Sequence, residues 1–357
     1  MEVEFISKLA LWILLWAIGF GIFFFYLNKR RITYTENYIT TSVYFLFLAL
    51  AATLLFKEEL KLLFAPFEVM PFALLIVTFI LNGLAYYAAN KFLTKPTLAT
   101  RRNSTQYFFR RDFRYLVSKS FEILFQQVLI AVLILMLKEQ GFSLDQIILI
   151  FSLLFCIVHL PLLKTAGVGF GVFYIFSSIV SAFIFPYLVL EVNHGFIYSY
   201  TVHWVFYILA GLSFWCYYEK NKTRALFLLL IVLQALHVLE EVWGGAYFIY
   251  AIYGGIEIFL LIMTLLFLPP LLLFYFVYQK KRWAYSLSFV YAGILILDGL
   301  DHIIELILLR AYFHGAAGLY TGILLMMTGV VFIYSLWKDQ SGKKFRQQDS
   351  KKDTILG

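Results

Sequence analysis

Apolar runs of about 20 residues recur along the whole chain, and this repetition constrains the fold more than any other feature. A run of that length crosses the roughly 30 Å hydrocarbon core of a bilayer as an α-helix. Hydrophobic residues make up 62% of the chain, charged residues 14%, and the mean hydropathy is +0.83, which excludes an ordinary soluble domain. The sequence therefore predicts an all-α, polytopic integral membrane protein.

The positions of the apolar runs predict eleven spans in two blocks. The inner turn at 219–224 separates a seven-span block, 1–218, from a four-span block, 225–337, and a basic tail at 338–357 is expected to be disordered. The ninth span is over-long, and Pro269-Pro270 is expected to break or kink it. The predicted spans are 9–28, 38–56, 71–90, 117–137, 146–163, 166–190, 197–217, 225–243, 250–278, 283–309 and 316–337.

The basic residues predict the orientation of these spans. With the N-terminus outside and the C-terminus inside, 24 of the 29 Lys and Arg residues fall in inner segments and five in outer ones, as the positive-inside rule requires. The longest inner segment, 91–119, interleaves basic and aromatic residues and is expected to lie on anionic lipid. This bias accounts for the net charge of +8, so membrane lipids are the expected partners, and no nucleic acid is implied. The expected location is a prokaryotic-type cytoplasmic membrane.

Ionisable residues inside the predicted spans are the strongest functional signal. A charge in hydrocarbon costs a few kcal/mol or more, so such residues usually mark a site that faces a cavity or a partner. Seven acidic residues and four histidines have this placement: Glu122, Glu240, Glu241, Glu257, Asp298, Asp301, Glu305, His159, His203, His237 and His302.

Most of these residues belong to the four-span block and fall at helical spacings. Two groups each occupy one helical face. The first stands at i, i+3 and i+4 (His237, Glu240, Glu241), and the second at i, i+3, i+4 and i+7 (Asp298, Asp301, His302, Glu305). Both lie in the outer half of their spans, and Glu257 enters from the outer end of the span between them. Carboxylates and imidazoles on facing helices are how bundles build metal sites, including dinuclear ones. The candidate ligands are His237, Glu240, Glu241, Glu257, Asp298, Asp301, His302 and Glu305.

Three interpretations of this C-terminal group remain open. It forms a site for an unidentified divalent metal ion or a small molecule, or it is structural polarity near span ends, or it is a proton or ion path. These spans contain no Lys or Arg, so a bound cation or protonated carboxyl groups must balance the acids; His314, in the outer turn, is a further candidate ligand. The chain has no Gly-x-x-x-x-Gly-Lys-[Ser/Thr] loop, so no nucleotide cofactor is expected.

The motif His237-Val-Leu-Glu240-Glu241, at the end of the first span of this block, resembles that of the HXXEE membrane domains. The resemblance covers about 225–337. The biochemical role of that family is not established, so the resemblance implies a fold unit and no mechanism.

Three fragments of the first block carry a second resemblance. They are Phe121-Glu122-Ile-Leu-Phe-Gln126, Phe155-Cys-Ile-Val-His159 and His203-Trp-Val-Phe-Tyr207, on successive spans. Their order resembles that of the CPBP family of intramembrane proteases (the CAAX-protease and bacteriocin-processing type), over about 115–217. That family carries Glu-Glu-x-x-x-Arg, Phe-x-x-x-His and His-x-x-x-Asn.

The resemblance implies a set of catalytic roles. Glu122 and His159 would polarise a water, and His203 with Tyr207 would stabilise the oxyanion. Three family positions differ, because Phe121, Gln126 and Tyr207 stand where the family has Glu, Arg and Asn. Counted along the spans, Glu122 and His159 lie near the inner ends and His203 near the outer end, so we expect them to meet only if the sixth span is broken.

Two functions of different classes follow. The first is a CPBP-like intramembrane endopeptidase, or a proteolytically impaired descendant, fused to an HXXEE-like domain. The second is a non-proteolytic metal-, small-molecule- or lipid-binding protein, or an isomerase-type enzyme, that uses the C-terminal group. A proton-coupled carrier or scaffold is a further alternative. The expected substrate is a membrane-embedded peptide or a lipid-like molecule.

Overall fold

The computed structural model describes residues 2–30, 32, 34–63, 68–92, 113–165, 168–218, 222–243, 254–309 and 318–353. Within these ranges all the regular secondary structure is helical, as the sequence predicts. The chain forms two compact units, Met1–Ile208 and Leu209–Gly357, and the boundary falls inside one helix. Most of the predicted inner loop, 93–112, and the outer turn that holds His314 lie outside the described residues.

The first unit is built from nine helices within the described ranges. The first continues through a π-helical stretch, Ile22–Leu27, and a 3-10 turn, Asn28–Arg30. A capping box formed by Ser143 and Gln146 fixes the start of the sixth helix. The helices are α1 (Glu2–Gly21), α2 (Tyr38–Leu55), α3 (Lys57–Leu60), α4 (Val69–Phe92), α5 (Phe113–Glu139), α6 (Leu144–His159), α7 (Leu162–Thr165), α8 (Val168–Glu191) and α9 (Gly195–Tyr218).

The second unit follows with α10 (Lys222–Trp243), α11 (Ile256–Leu266), α12 (Leu268–Tyr278), α13 (Arg282–Leu309) and α14 (Leu319–Asp353). The over-long ninth span is broken at Phe267, and Pro269 and Pro270 stand in the first turn of α12, where proline costs the helix no hydrogen bond. The break is therefore where the sequence predicts it. Helix α14 continues into the polar C-terminal segment as far as Asp353.

Seven helical segments of the described chain are long and apolar enough to cross a membrane. Large apolar side chains on their outer faces are exposed, among them Phe47 (68%) and Leu54 (72%), as lipid-facing residues are. The protein is therefore a helical membrane protein. The seven segments are Glu4–Leu27, Tyr38–Leu55, Phe113–Glu139, Leu144–Lys164, Gly171–Glu191, Arg282–Glu305 and Leu319–Gln340.

Helix α5 forms the centre of the first unit. Every side chain from Gln126 to Leu137 is buried, which is the pattern of a helix surrounded by other helices. The indole of Trp12 donates a 2.7 Å hydrogen bond to the carbonyl of Leu129, and Ser118 Oγ donates one of 2.8 Å to the carbonyl of Tyr34. Helix α5 is thus held to the N-terminal segment along its length.

The placement of Lys119 refines the sequence analysis, which counts this residue both in the inner segment 91–119 and at the start of the span 117–137. Helix α5 begins at Phe113, so Lys119 lies in its second turn, and its side chain is buried. The positive-inside pattern counts residues near span ends as loop residues. It cannot distinguish a lysine on the lipid surface from one folded into the protein.

A close crossing of α13 and α14 organises the second unit. A Cβ built on Gly299 would lie 2.1 Å from the carbonyl oxygen of Gly322, so only glycine at position 299 permits this approach. Elsewhere in the unit, Phe227 of α10 packs against Phe274 and Phe332, with ring centroids 5.9 and 4.9 Å away. The crossing places the polar residues of α13 directly beside the start of α14.

Candidate functional site

Three side chains of the second unit converge on one point. The Nε2 atoms of His237, on α10, and His302, on α13, lie 3.1 Å apart. Glu241 Oε1 lies 3.8 Å from the first nitrogen and 3.7 Å from the second. Both imidazoles are buried, and the glutamate is partly buried. We call these three residues the triad.

The spacing of the triad suits a metal ion. Ligands bound tetrahedrally at about 2.0–2.1 Å lie roughly 3.3 Å from one another, and the three triad distances bracket this value. The ligand atoms of the triad all lie within 4.8 Å of one another, so the group could hold a metal ion. Its residues reach this point because His237 and Glu241 are four apart on one helical face.

The other predicted ligands take different places. Asp298 Oδ2 lies 3.3 Å from His237 Nε2, and its side chain is 42% exposed. Glu305 Oε2 lies 3.7 Å from His302 Nδ1, on the side of the ring away from the triad. The Asp301 side chain is exposed. The side chain of Glu257, in α11, lies outside the described residues. The structure therefore brings three of the eight predicted ligands together and places Asp298 beside them.

Glu240 does not join the triad. Its Oε2 accepts hydrogen bonds from the Thr321 amide (2.8 Å) and hydroxyl (2.5 Å), and its Oε1 accepts one from the Tyr320 amide (3.1 Å). These amides belong to the first turn of α14, where the helix leaves backbone donors without helical partners. The two adjacent glutamates of the motif therefore point to different partners.

Two glycines at the start of α14, Gly318 just before the helix and Gly322 within it, form a cradle for the imidazoles. A Cβ built on Gly318 would lie 2.7 Å from His237 Cε1 and 2.9 Å from His302 Cε1, and the φ of +101° at this residue is itself strained for any other side chain. A Cβ on Gly322 would lie 3.3 Å from His302 Cδ2. The backbone of α14 thus closes the triad on one side.

A second buried polar cluster lies in the first unit. The rings of His159, Tyr174, Tyr207 and His203 follow one another with centroid separations of 6.4, 6.2 and 5.4 Å. Lys119 Nζ lies 4.0 Å from the centroid of the Tyr207 ring and 2.7 Å from Glu122 Oε1. Tyr207 and Lys119 therefore bridge the gap that the sequence analysis expects between Glu122 and His203. Helix α8 is continuous over Val168–Glu191, and the described contacts link Glu122, His159 and His203 only through Lys119 and aromatic rings.

The catalytic candidates of this cluster have separate partners. Glu122 Oε1 accepts from Lys119 and from Gln126 Nε2 (2.7 Å). His203 Nδ1 lies 3.1 Å from Gln127 Oε1. His159 Nδ1 lies 2.6 Å from the Phe155 carbonyl and 3.0 Å from Ser178 Oγ. Lys119 and Gln126 therefore occupy one oxygen of the carboxylate that a general base would have to present to water.

Tyr34 covers the glutamate from the turn before α2. Burial and, secondly, the Glu122 carboxylate raise the pKa of its hydroxyl well above the usual value, so this group stays protonated. Glu122 Oε2 is buried and makes no hydrogen bond within the described residues. The cluster as described is tightly packed around an ion pair.

Sequence reasoning missed several residues that shape these sites. Thr321, Gly318 and Gly322 surround His237, and the Gly318-x-x-x-Gly322 spacing at the start of the last span was the available signal, because small residues four apart mark close helix contacts. Lys119 lies one helical turn before Glu122, a spacing that permits an ion pair.

Comparisons of the chain with protein-family models, with curated proteins and with solved structures give no match.

Proposed function

We propose that the protein is a membrane metalloprotein whose C-terminal unit binds one divalent transition-metal ion through His237, Glu241 and His302. The observation that carries the proposal is the convergence of two imidazole nitrogens and one carboxylate oxygen within 3.8 Å of one another. Imidazole and carboxylate together suit zinc, iron and similar ions.

Charge supports a cation at this point. Glu241 and Asp298 both face His237 Nε2, while α10 and α13 carry no Lys or Arg in the 16 residues before Glu241 or the 15 before Asp298. A metal ion supplies the positive charge that the surrounding sequence lacks. Its ligands would have to be deprotonated to bind it, so binding would release protons.

The ligand set favours a catalytic over a structural ion. Structural zinc is commonly held by four protein ligands, whereas catalytic zinc keeps three and leaves a position for water or substrate. A bound ion would activate water or polarise a carbonyl or phosphoryl oxygen in that position. A metal-dependent reaction on a membrane-embedded peptide or lipid-like molecule is the function we favour. Asp298, partly exposed beside the triad, is the group best placed to meet that substrate.

Titration of purified protein with zinc tests the proposal. The protein is stripped with a chelator in detergent and titrated with Zn²⁺ against a competing chromophoric chelator. We expect one site per chain, at least about 100-fold weaker in Glu241→Gln, a larger loss than removing a group that only hydrogen-bonds to a ligand typically causes. Asp145→Asn is the control, because Asp145 is an exposed acidic residue of the first unit and its loss should leave binding unchanged. No saturable site, or equal affinity in Glu241→Gln, would overturn the proposal.

A second proposal concerns the first unit. We infer that it descends from a CPBP-like intramembrane protease and has lost most of its activity. The observation behind it is that Glu122, His159, His203 and Tyr207 lie in one ring-linked buried cluster, while Lys119 and Gln126 occupy Glu122 Oε1. We expect the reconstituted protein to cleave a panel of transmembrane peptides no faster than its Glu122→Gln variant. Cleavage that requires Glu122 would show instead that proteolysis is retained.

We also propose that the chain crosses the membrane eleven times. Helices α4, α9 and α10 have 22 to 24 residues, and together with the broken pair α11–α12 they would raise the seven spanning segments to eleven. The N-terminus would lie outside and the C-terminus inside a prokaryotic cytoplasmic membrane, because that arrangement satisfies the positive-inside rule.

A further inference from the structure

Thr321 connects Glu240 to the triad through two short contacts. Its hydroxyl donates to Glu240 Oε2 at 2.5 Å, and the same oxygen lies 3.0 Å from His237 Nδ1. Glu240 is held in place by the Tyr320 and Thr321 amides as well. A carboxylate, a hydroxyl and an imidazole therefore form one chain that ends at the triad.

Counting protons along this chain places a proton on Nδ1 of His237. A threonine hydroxyl has one proton to donate, and the carboxylate takes it. The hydroxyl oxygen can then only accept from His237, so the imidazole proton lies on Nδ1. In a neutral imidazole the other nitrogen, Nε2, is then an acceptor, and it faces His302 Nε2 at 3.1 Å, Asp298 Oδ2 at 3.3 Å and Glu241 Oε1 at 3.8 Å.

We propose that Glu240 is a positioning residue, which acts through Thr321 to hold His237 in the Nδ1-protonated tautomer and so present Nε2 for ligation. The two glutamates of the His-x-x-Glu-Glu motif then have different tasks: Glu241 contributes a ligand atom, and Glu240 orients a ligand. Outer hydrogen bonds of this kind fix the ring and raise its basicity. The effect on metal affinity rests on the proposed function, whereas the tautomer is a property of the metal-free protein.

A purely structural role for Glu240 makes a different prediction. Glu240 accepts from two amides in the first turn of α14, so its removal would destabilise that helix start whatever His237 does. A cap alone does not select a tautomer. The discriminating measurement is therefore the protonation of the two ring nitrogens, with stability recorded alongside.

The experiment uses full-length, chelator-stripped protein labelled with ¹⁵N-histidine in detergent micelles. His237 is assigned by its absence in His237→Gln, and its ring nitrogen shifts give the tautomer at a pH where the ring is neutral. We expect Nδ1 to carry the proton in the wild type and in Thr321→Ser, which keeps the hydroxyl. Thr321→Val, which keeps the shape and removes the hydroxyl, should move the proton to Nε2. Glu240→Ala should produce a mixture, because the hydroxyl can then donate to the ring.

Zinc affinity gives the second readout. We expect Thr321→Val to bind Zn²⁺ about 10–100-fold more weakly than the wild type, and Thr321→Ser to remain within a few-fold. A wild-type His237 protonated on Nε2, or a tautomer unchanged in both Thr321→Val and Glu240→Ala, would overturn the inference even if zinc binds. The Nδ1 tautomer in a protein without a zinc site would sustain the inference and refute the metal proposal.

Discussion

Gly318 lies so close to His237 that a methyl group on its α-carbon would sit 2.7 Å from the imidazole Cε1. The same methyl group would sit 2.9 Å from His302 Cε1, so one backbone position touches both rings of the triad. Because its φ is +101°, the residue is also confined to a conformation that suits glycine. The loop entering α14 thus forms a wall of the candidate site.

We predict that Gly318→Ala disrupts the site. The substitution adds about 1–3 kcal/mol of backbone strain and pushes the imidazoles apart, so zinc affinity should fall by roughly 10-fold or more. Gly293→Ala is the matched control, because within the described residues a Cβ at that position of α13 has no atom within 4 Å apart from its own helical surroundings. It should leave binding intact and stabilise the helix by about 0.5–1 kcal/mol. Equal zinc affinity in Gly318→Ala and the control would refute the claim that the close approach of Gly318 to the two imidazoles is needed for binding.

Glu305 should increase the zinc affinity of the site through its contact with His302. In the metal-free protein, the Nε2–H group of His302 can donate to His237 Nε2. If His302 bound a metal ion through Nε2, its proton would have to lie on His302 Nδ1. That nitrogen is buried and lies 3.7 Å from Glu305 Oε2. We predict that Glu305→Gln weakens zinc binding by about 10-fold, as loss of a carboxylate behind a ligating histidine does. The competition titration measures it, and stronger binding in the variant would contradict this role.

Breaking the buried ion pair of Lys119 and Glu122 should strongly destabilise the first unit. Removing one partner of a buried pair typically costs about 3–5 kcal/mol, because the other charge is left without compensation. Lys119→Met should therefore lower the midpoint of thermal unfolding in detergent strongly, and adding Glu122→Gln should restore part of the loss. Lys138→Met, exposed at the other end of α5, is the control and should change little. A double variant less stable than Lys119→Met would refute the coupling.

The proposed topology can be checked by cysteine labelling. Lys138 lies at the end of α5 that we place outside, and Lys338 lies beyond the apolar part of α14, which we place inside. A membrane-impermeant maleimide should label Lys138→Cys in intact cells and Lys338→Cys only after lysis. The wild-type protein, with Cys156 and Cys216 in apolar segments, gives the background. The opposite pattern would invert the orientation.

The helical membrane fold was predictable because its determinants are local. Twenty apolar residues form a helix in lipid irrespective of the rest of the chain, since each backbone group must bond within its own segment. The break at Phe267 was predictable for the same reason, because Pro269 and Pro270 cannot continue a preceding helix.

The candidate site was predictable only in part. Helical spacing puts His237 and Glu241 on one face. It also puts Asp298, Asp301 and Glu305 on one face with His302, yet Asp298 lies beside His237, Glu305 lies beside His302 Nδ1, and Asp301 is exposed. Which part of a stripe faces the neighbouring helix depends on the rotation of that helix, which the Gly299–Gly322 crossing sets. Pairings such as Glu240 with Thr321 join residues 81 apart, and no local pattern encodes them.

X-ray absorption at the zinc edge of the reconstituted protein tests the central claim most directly. We predict a first shell with two imidazole nitrogens at about 2.0–2.1 Å and oxygen at a similar distance, and loss of one imidazole in His302→Ala. A shell of oxygen alone, or a spectrum that is identical in His302→Ala, would contradict the claim that the two histidines and Glu241 together bind a metal ion.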